Sequence, residues 1–295
     1  MLPYFEQPAF HLGPLTIHAF GVAVAVAMWF GLTFVQKRFE RRALDPAVGQ
    51  KLGGWMVVGG IAGAHLFSVF AYFPHKLRDD PWLLLRVWED ISSLGGILGG
   101  VAAGLLFFAI RARNSDSEIR LAYLDAIAFV FPGALAIGRI GCALAHDHPG
   151  VITTFPLAIS LKTGAALEYI RGVYSAAGLR LPDNVGQMGF HDLGLYELLY
   201  LAVVVVPLFA YWARRRQPTG FYLAAFAALY FPVRFALDML RVSDVRYLRL
   251  TPAQWAAALI MAGLPFAVLR HRALRFAISG AVILTAGWAC WGGAP

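Results

Sequence analysis

The 295-residue chain is 59% hydrophobic and only 14% charged, whereas about a quarter of the residues in a soluble domain are charged. The net charge of +8 comes with no basic face or recognition motif, so we expect no nucleic-acid partner. Cys142 and Cys290 give no disulfide framework. The composition therefore indicates an integral membrane protein.

Eight apolar runs follow one another along the chain, enough to cross about 30 Å of hydrocarbon several times. No basic segment precedes the first run and no small-residue cleavage site follows it, so we expect a retained span and not a signal peptide. The pattern predicts an all-α fold, a polytopic membrane helix bundle of seven or eight transmembrane helices in one membrane domain. The runs lie near residues 16–35, 52–73, 91–110, 121–145, 194–213, 220–240, 254–269 and 274–292.

Lysine and arginine are concentrated in the short loops that follow the first, third, fifth and seventh runs. Basic loops remain in the cytoplasm, so this asymmetry predicts that the N-terminus lies on the extracytoplasmic side. The basic residues are Lys37, Arg38, Arg41, Arg42, Lys51, Arg111, Arg113, Arg120, Arg214, Arg215, Arg216, Arg270, Arg272 and Arg275.

Glycines recur at helical spacing in the second and third runs, where they predict close helix packing. They are Gly59, Gly60, Gly63, Gly95, Gly96, Gly99 and Gly100. The one long loop, residues 146–192, joins the fourth and fifth runs and carries many aromatic and aliphatic residues. Connections of this length are usually functional or disordered, and the apolar content predicts a small folded extracytoplasmic cap.

Two arginines lie inside apolar runs, Arg139 in the fourth and Arg234 in the sixth, and each follows a proline in the same run, Pro132 or Pro232. Ionisable residues at membrane depth are costly and count as functional candidates. A helical proline frees a carbonyl group, which membranes tolerate beside protein or a wet cavity. The two arginines are therefore expected to face a shared polar cavity.

Arg234, Asp238 and Arg241 fall on one helical stripe. One interpretation is an internal salt bridge between Arg234 and Asp238 that only fixes packing. The other is that Arg139 adds a cation and leaves the cavity net positive, suited to a phosphate that arginine grips with two parallel hydrogen bonds.

His146, Asp147 and His148 follow the fourth run at its outer end. A histidine oriented by a carboxylate can act as a general base near neutral pH. A zinc site is disfavoured, because adjacent helical residues point in different directions and no further ligand pattern lies nearby. The remaining alternative is a set of solvated loop residues. His65, within the second run, is more typical of a hydrogen-bonded packing residue.

Several of these segments together resemble the prolipoprotein diacylglyceryl transferase family of bacterial inner-membrane enzymes. Gly-Arg-Ile-Gly at residues 138–141 and the stripe that begins with Arg234-Phe235 carry most of the specificity. The likeness also covers Leu12–Ile17, Gly63–Leu66, Ser93–Gly96, Gly150, Leu195–Glu197, Tyr230 and Gln254.

The resemblance implies transfer of a diacylglyceryl group from phosphatidylglycerol to the lipobox cysteine thiol of a preprolipoprotein signal peptide, with no cofactor or metal ion. By analogy, the lipid phosphate binds between Arg139 and Arg234, with Asp238 holding the second guanidinium. The arginines would stabilise the charge on the departing glycerol phosphate. Arg241, Gly150, Tyr230 and His65 are expected to belong to the substrate site.

The chain departs from the family pattern at positions that matter for chemistry. Leu94 and Phe20 stand where the family has an essential histidine and an essential tyrosine, and Cys142 and Ala145 replace asparagines. We therefore expect the base to be His146 or His148, paired with Asp147, or else His65. The alternative is a catalytically altered member that binds anionic lipid or a membrane partner. An unrelated transporter would be expected to carry paired repeats, and none is visible.

Overall fold

A computed structural model describes residues 1–268 of the chain, apart from 14, 88, 90, 114 and 243. In chain order, the helices of this part are α1 (Ala19–Arg41), α2 (Pro46–Phe67), α3 (Pro74–Asp79), α4 (Ser93–Ile110), α5 (Ser117–Ala145), α6 (Gly164–Ala176), α7 (Leu193–Tyr200), α8 (Val206–Trp212), α9 (Phe221–Met239) and α10 (Pro252–Val268). The strands are β1 (Ala9–Leu12), β2 (Leu15–His18), β3 (Pro149–Thr153), β4 (Ile159–Ser160) and β5 (Gly189–Asp192).

Six helical segments of the described chain are long and apolar enough to cross a membrane, which confirms a polytopic helical membrane protein. The seventh predicted run corresponds to α10, which has 17 residues. The eighth, residues 274–292, lies outside the described residues. The six segments are Ala19–Arg41, Pro46–Tyr72, Ser93–Ile110, Ser117–Ala145, Leu193–Trp212 and Phe221–Met239.

The first predicted span began too early. Residues 16–18 belong to β2, which pairs antiparallel with β1 through a turn at Gly13, so the helix begins at Ala19. Gly13 has φ +59°, a conformation that glycine adopts at little cost. In the sequence, the apolar residues on both sides of this hairpin hid the alternating pattern of its two short strands.

Contacts within the chain define two compact units. The first unit comprises Met1–Gly31, Ala128–Asp244 and the described residues from Ala256 to Val268. The second comprises Leu32–Ile127 and Val245–Trp255. That residues 1–295 form a single membrane domain remains a prediction.

In the second unit, α2 packs directly on α4 through the predicted glycines. A Cβ atom added at Gly63 would lie 2.6 Å from the carbonyl oxygen of Gly95, and one at Gly99 would lie 2.3 Å from that of Gly59. The two backbones therefore touch where any larger residue would separate them. This contact is the small-residue packing that lets membrane helices approach closely.

In the first unit, α5, α7 and α9 bring their polar residues together. α9 is the most buried of the six segments, since 67% of its most apolar stretch is buried within the protein. A Cβ atom at Gly194 would lie 3.1 Å from that of Cys142, so α7 and α5 are in close contact. Tyr200 of α7 donates a hydrogen bond of 2.8 Å to the carbonyl of Leu229 in α9. A π-helical turn, Leu201–Val205, links α7 to α8.

Residues 146–192 contain a three-stranded antiparallel sheet in the order β3-β5-β4, with α6 beside it. Thr163 caps the N-terminus of α6 with its side chain. Fully or largely buried side chains form the hydrophobic core of this segment: Ile159, Leu161, Ala166, Ile170, Tyr174 and Phe190. The segment therefore contains a hydrophobic cluster, and its role as an extracytoplasmic cap remains a prediction.

Candidate active site

Arg139 of α5 and Arg234 of α9 meet on one carboxylate, that of Glu197 in α7. Arg139 Nε lies 2.9 Å from Glu197 Oε1, and Arg234 Nη1 lies 3.3 Å from Glu197 Oε2. All three side chains are almost completely buried, with exposures of 2%, 5% and 1%. The structure thus brings the two arginines together, and places an acidic group between them.

A second row of charges continues along α9. Arg234 Nη2 lies 3.3 Å from Asp238 Oδ1, and Arg241 Nη1 lies 3.6 Å from the same oxygen. Arg241 also pairs with Asp244 at 2.8 Å. The predicted salt bridge between Arg234 and Asp238 is therefore present.

The expectation of a net positive cavity was wrong for these described residues. Arg139, Arg234 and Arg241 are balanced by Glu197, Asp238 and Asp244, because α7 contributes a carboxylate that the stripe on α9 does not reveal. Burying two charges in a medium of low polarity requires such pairing. The cluster is an ion-pair network into which an incoming anion must insert or exchange.

Tyr230 adds a neutral donor to this network. Its hydroxyl donates a hydrogen bond of 2.5 Å to Glu197 Oε1, one turn before Arg234 on α9. Glu197 therefore receives hydrogen bonds or ion pairs from two helices, α5 and α9. These contacts fix the orientation of the carboxylate and of both guanidinium groups.

His148 connects Asp147 to Arg139. Its Nδ1 lies 2.5 Å from Asp147 Oδ1, and its Nε2 lies 3.3 Å from Arg139 Nη1. Since arginine only donates, Nε2 must accept and the proton must be on Nδ1, where it is donated to Asp147. The predicted pairing of His148 with Asp147 is present.

The surroundings favour the neutral form of this imidazole. Burial, followed by the charge of Arg241, lowers the pKa of His148 to about 4, although the hydrogen bond and charge of Asp147 act in the opposite direction. Burial raises the pKa of Asp147, but the hydrogen bond and charge of His148 outweigh it and hold that pKa below its ordinary value. The pair is a neutral imidazole and a carboxylate near neutral pH.

His146 does not pair with Asp147 as expected; its partner is Asp192, at the end of β5. His146 Nδ1 lies 2.6 Å from Asp192 Oδ2, and the other oxygen of Asp192 accepts the backbone N–H of Leu195 at 2.9 Å. Asp192 thus caps α7 with one carboxylate oxygen and orients His146 with the other. The sequence could not show this pairing because the partners are 46 residues apart.

Cys142, Asp147 and His148 bring possible metal-ligand atoms within 4.8 Å of one another. Arg139 Nη1 lies 3.3 Å from Cys142 Sγ and also 3.3 Å from His148 Nε2. A cation held by this group would meet a buried guanidinium at contact distance. The arrangement is better described as a hydrogen-bonded cluster around Arg139.

Gly150 has a structural reason to be glycine. A Cβ atom there would lie 2.9 Å from that of His191 and 3.0 Å from the carbonyl oxygen of Leu240. Gly150 pairs with Arg241 in an isolated bridge, and Val151 donates to Leu240 at 2.8 Å. The absence of a side chain lets β3 bind the end of α9, beside the charged stripe.

His65 has the surroundings of a packing residue and lies in the second unit. Its Nδ1 contacts the carbonyl of Glu89 at 2.8 Å, and its Nε2 contacts that of Leu83 at 2.9 Å. Each ring nitrogen is therefore in contact with a backbone carbonyl oxygen of a neighbouring segment. That His65 belongs to the substrate site or serves as the base remains a prediction.

Leu94 and Phe20, which the resemblance expects in place of a histidine and a tyrosine, are apolar contacts. Leu94 is buried in the first turn of α4, where Ser92 caps the helix. Phe20 packs on α5: a Cβ atom at Gly141 would lie 3.1 Å from its Cα. Neither side chain carries a group that could take up or donate a proton.

Sequence reasoning left Glu197 and Asp192 out of the candidate site. Glu197 had a signal, since a carboxylate inside a span that otherwise lacks charge is a functional candidate by the same argument as Arg139. Asp192 had the weaker signal of a helix N-cap, immediately before the fifth run. Their partners could only be assigned once helix neighbours were known.

A multi-pass membrane helix bundle with paired guanidinium groups and two histidine–carboxylate pairs in its polar interior is typical of a membrane enzyme that handles an anionic group. Residues 7–269 match the family described as prolipoprotein diacylglyceryl transferase. The chain therefore belongs to the prolipoprotein diacylglyceryl transferase family. The resemblance noted in the sequence is confirmed.

Individual relatives extend over most of the chain. The phosphatidylglycerol–prolipoprotein diacylglyceryl transferase of Paenarthrobacter aurescens is 32% identical over 294 residues, covering 92% of this chain and 86% of the relative. The protein of the same name from Ectopseudomonas mendocina is 28% identical over 252 residues, covering 83% and 85%. That from Symbiobacterium thermophilum is 27% identical over 266 residues, covering 88% and 90%.

Proposed function

We propose that this protein transfers the diacylglyceryl group of phosphatidylglycerol to the lipobox cysteine thiol in the signal peptide of a prolipoprotein. The observation that carries the proposal is the buried convergence of Arg139 and Arg234 on Glu197. Two guanidinium groups that already share one carboxylate are oriented for an anion. The names of the relatives supply phosphatidylglycerol as the donor and prolipoprotein as the acceptor.

The lipid phosphate is expected to bind at Arg139 and Arg234 together. Each guanidinium has five N–H donors, more than one carboxylate can use, and arginine holds phosphate oxygens with two parallel hydrogen bonds. Glu197, fixed by Tyr230, keeps the two groups side by side. Asp238 and Arg241 hold Arg234 from the other direction, so the phosphate meets a preorganised pair.

In the reaction, the thiol sulfur attacks the glycerol carbon that carries the phosphate ester. The C–O bond breaks, and its electron pair leaves with the glycerol phosphate, whose growing charge the arginines stabilise. Only the thiolate is a good nucleophile, so a base must take up the thiol proton. His148 contacts Arg139, His146 is two residues before it in the chain, and each is oriented by a carboxylate.

The proposal includes an orientation in the bacterial inner membrane. The basic loops after α1, α4 and α8 are placed in the cytoplasm, and the N-terminus with residues 146–192 on the outer side. Residues 146–192 would then form a cap on the face where prolipoproteins emerge. His146, His148 and Asp192 begin and end this segment, so the acceptor would meet the site there.

Leu94 and Phe20 favour a second function, that of a family member that binds anionic lipid without transfer. Neither can replace the histidine and tyrosine of the family pattern in proton transfer. The arginine network would then bind phosphatidylglycerol only. The two functions differ in whether prolipoprotein is modified.

Complementation tests the proposal. The gene is expressed in a bacterium depleted of its own enzyme, and the modification of a prolipoprotein is followed by its mobility shift and by labelled lipid. We expect the wild-type chain to transfer the lipid and Arg139→Lys to lose this activity. Arg113→Lys, in the exposed loop after α4, should retain it. A correctly inserted chain that binds phosphatidylglycerol but leaves prolipoprotein unmodified would overturn transfer in favour of lipid binding.

A further inference from the structure

His146 and Asp192 form a pair whose remaining polar atom is unused. The imidazole is 2% exposed, and its Nδ1 is bound to Asp192 at 2.6 Å. Its Nε2 is buried and has no hydrogen-bond partner within the part of the chain that the structure describes. A buried nitrogen without a partner is costly, and such atoms in folded proteins call for an explanation.

The backbone at His146 is also unusual. His146 follows the last residue of α5 and has φ +50°, in the left-handed region that glycine or asparagine normally occupies at a helix end. A histidine there is strained, and strain of this kind concentrates at functional sites. Tyr169 holds the conformation by donating its hydroxyl to the His146 carbonyl, and the rings of Tyr4 and Phe5 pack on the imidazole.

His146 and Asp192 are among the residues that line an open apolar groove of about 330 Å³. The other walls come from the ends of α5 and α7 and from the N-terminal segment. Side chains that line the groove include Ile140, Leu144, Leu195, Leu198 and Phe5. Asp192 takes Nδ1, so Nε2 is the ring atom left for a ligand in the groove.

We propose that His146 Nε2 is the base that takes the proton of the acceptor thiol, oriented by Asp192, and that the groove binds the apolar residues flanking that cysteine. This inference rests on the proposed function, which supplies the thiol. With Nδ1–H donated to Asp192, Nε2 carries the lone pair, the arrangement that a histidine base needs.

The step balances without any further reactant. The S–H proton moves to His146 Nε2 as sulfur forms its bond to the glycerol carbon, and the carbon–oxygen bond breaks toward the phosphate. The imidazolium, stabilised by the Asp192 carboxylate, then returns its proton to the released glycerol phosphate or to water. Asp192 remains a carboxylate throughout.

The spacing suits this division of roles. Arg139 lies in α5 and His146 directly follows the helix, seven residues later, which corresponds to about 10 Å at 1.5 Å per residue. In the reacting complex the base contacts the thiol, the sulfur contacts the glycerol carbon, and that carbon is bonded through oxygen to phosphorus. The base then lies roughly 8–9 Å from the phosphorus. His148 instead accepts a hydrogen bond from Arg139 itself at 3.3 Å, so its Nε2 lone pair is already used at the phosphate end.

The decisive variant is His146→Gly, since glycine accepts the left-handed backbone without strain and leaves a space the size of the imidazole. We expect transfer to purified cysteine-containing signal peptide to fall about 10²-fold and to recover in part when imidazole is added. Asp192→Asn, which keeps the cap of α7 but not the carboxylate, should lower the rate as well. His191→Gln, a half-buried neighbour, should behave as wild type.

Two results would overturn the inference: a folded His146→Gly protein with the wild-type rate, or one whose lost rate neither imidazole nor higher pH restores. A second readout separates this inference from the proposed function. Wild-type protein should bind a cysteine peptide more tightly than its serine analogue, and His146→Gly should lose that preference. If the wild-type protein shows this preference but transfers nothing, the proposed function alone is contradicted. If the preference is absent, or does not depend on His146, the inference is contradicted.

Discussion

At the scale of single residues, the buried charges of the candidate site are paired with one another. Glu197 is shared by Arg139, Arg234 and Tyr230, and each contact comes from a different position along α5 or α9. Breaking a buried ion pair by removing one partner is more costly than the pair is stabilising, because it leaves an unpaired charge. Substitutions that keep charge and shape therefore test function better than alanine does.

Tyr230→Phe should destabilise the protein without removing a charge. The hydroxyl donates to a buried carboxylate at 2.5 Å, and hydrogen bonds to charged groups are worth roughly 1.5–3 kcal/mol. The free energy of unfolding of detergent-solubilised protein should fall by about that amount. Tyr211→Phe, where the side chain is 60% exposed, is the matched control and should change nothing measurable. Equal stability of the two variants would contradict the account of Glu197.

His148 should make the stability depend on pH below neutrality. Its pKa is lowered from 6.5 to about 4, first by burial and then by the charge of Arg241, while Asp147 opposes and Arg139 adds to the shift. Between these pH values the unfolded chain binds more protons, so stability is full above pH 6.5 and falls toward pH 4. The side chain is 14% exposed, and the change amounts to about 3 kcal/mol at most.

The measurement is the free energy of unfolding at several pH values from 7 to 4. His148→Gln, whose amide can still donate to Asp147 and accept from Arg139, should show a shallower decline than wild type. A decline of equal steepness in the two proteins would mean that His148 is not held neutral by its surroundings.

At the scale of elements, helix ends and helix contacts position the site. Asp192 caps α7 and so fixes the direction of Glu197, one and a half turns later. Gly150 lets β3 bind the end of α9 next to Arg241. At the start of α10, Thr251 and Gln254 cap each other's backbone N–H groups, which gives a structural role to a residue of the family resemblance.

Gly99→Ala should disrupt the contact between α2 and α4. The new Cβ atom would lie 2.3 Å from the carbonyl oxygen of Gly59 and 2.7 Å from the Cα of Gly63, so the helices must move apart. Overpacking of this kind costs about 1–3 kcal/mol. Gly54→Ala, in α2 with nothing within 4 Å of the added atom, is the control. A Gly99→Ala protein that unfolds at the same temperature as wild type would show that the contact tolerates separation.

At the scale of the whole molecule, sequence patterns predicted the spans well and the partners across helices poorly. Apolar length locates α2, α4, α5, α9 and the span Leu193–Trp212, because a bilayer imposes this length on each span separately. The pairing of Arg234 with Asp238 was predictable, since both lie on one helix face. The roles of Glu197 and Asp192 depend on which helices are neighbours, and local patterns do not encode that.

The orientation can be tested with single cysteines. Lys162→Cys, exposed in residues 146–192, should react with a membrane-impermeant maleimide in intact cells of a bacterium with a permeable outer layer. Arg113→Cys, in the basic loop after α4, should react only after the inner membrane is opened. The unsubstituted protein, which carries buried Cys142 and also Cys290, supplies the background. The reverse labelling pattern would contradict the proposed placement of the N-terminus and the cap.

The most direct test of the central claim is diacylglyceryl transfer by purified protein carrying Arg139→Lys. Lysine keeps a positive charge for Glu197 but lacks the planar fork that binds phosphate with two hydrogen bonds. With labelled phosphatidylglycerol and a prolipoprotein, kcat/KM should fall by about 10²–10³-fold, while Arg113→Lys retains the wild-type value. A folded Arg139→Lys protein that transfers the label as fast as wild type would contradict the claim that this buried guanidinium holds the lipid phosphate.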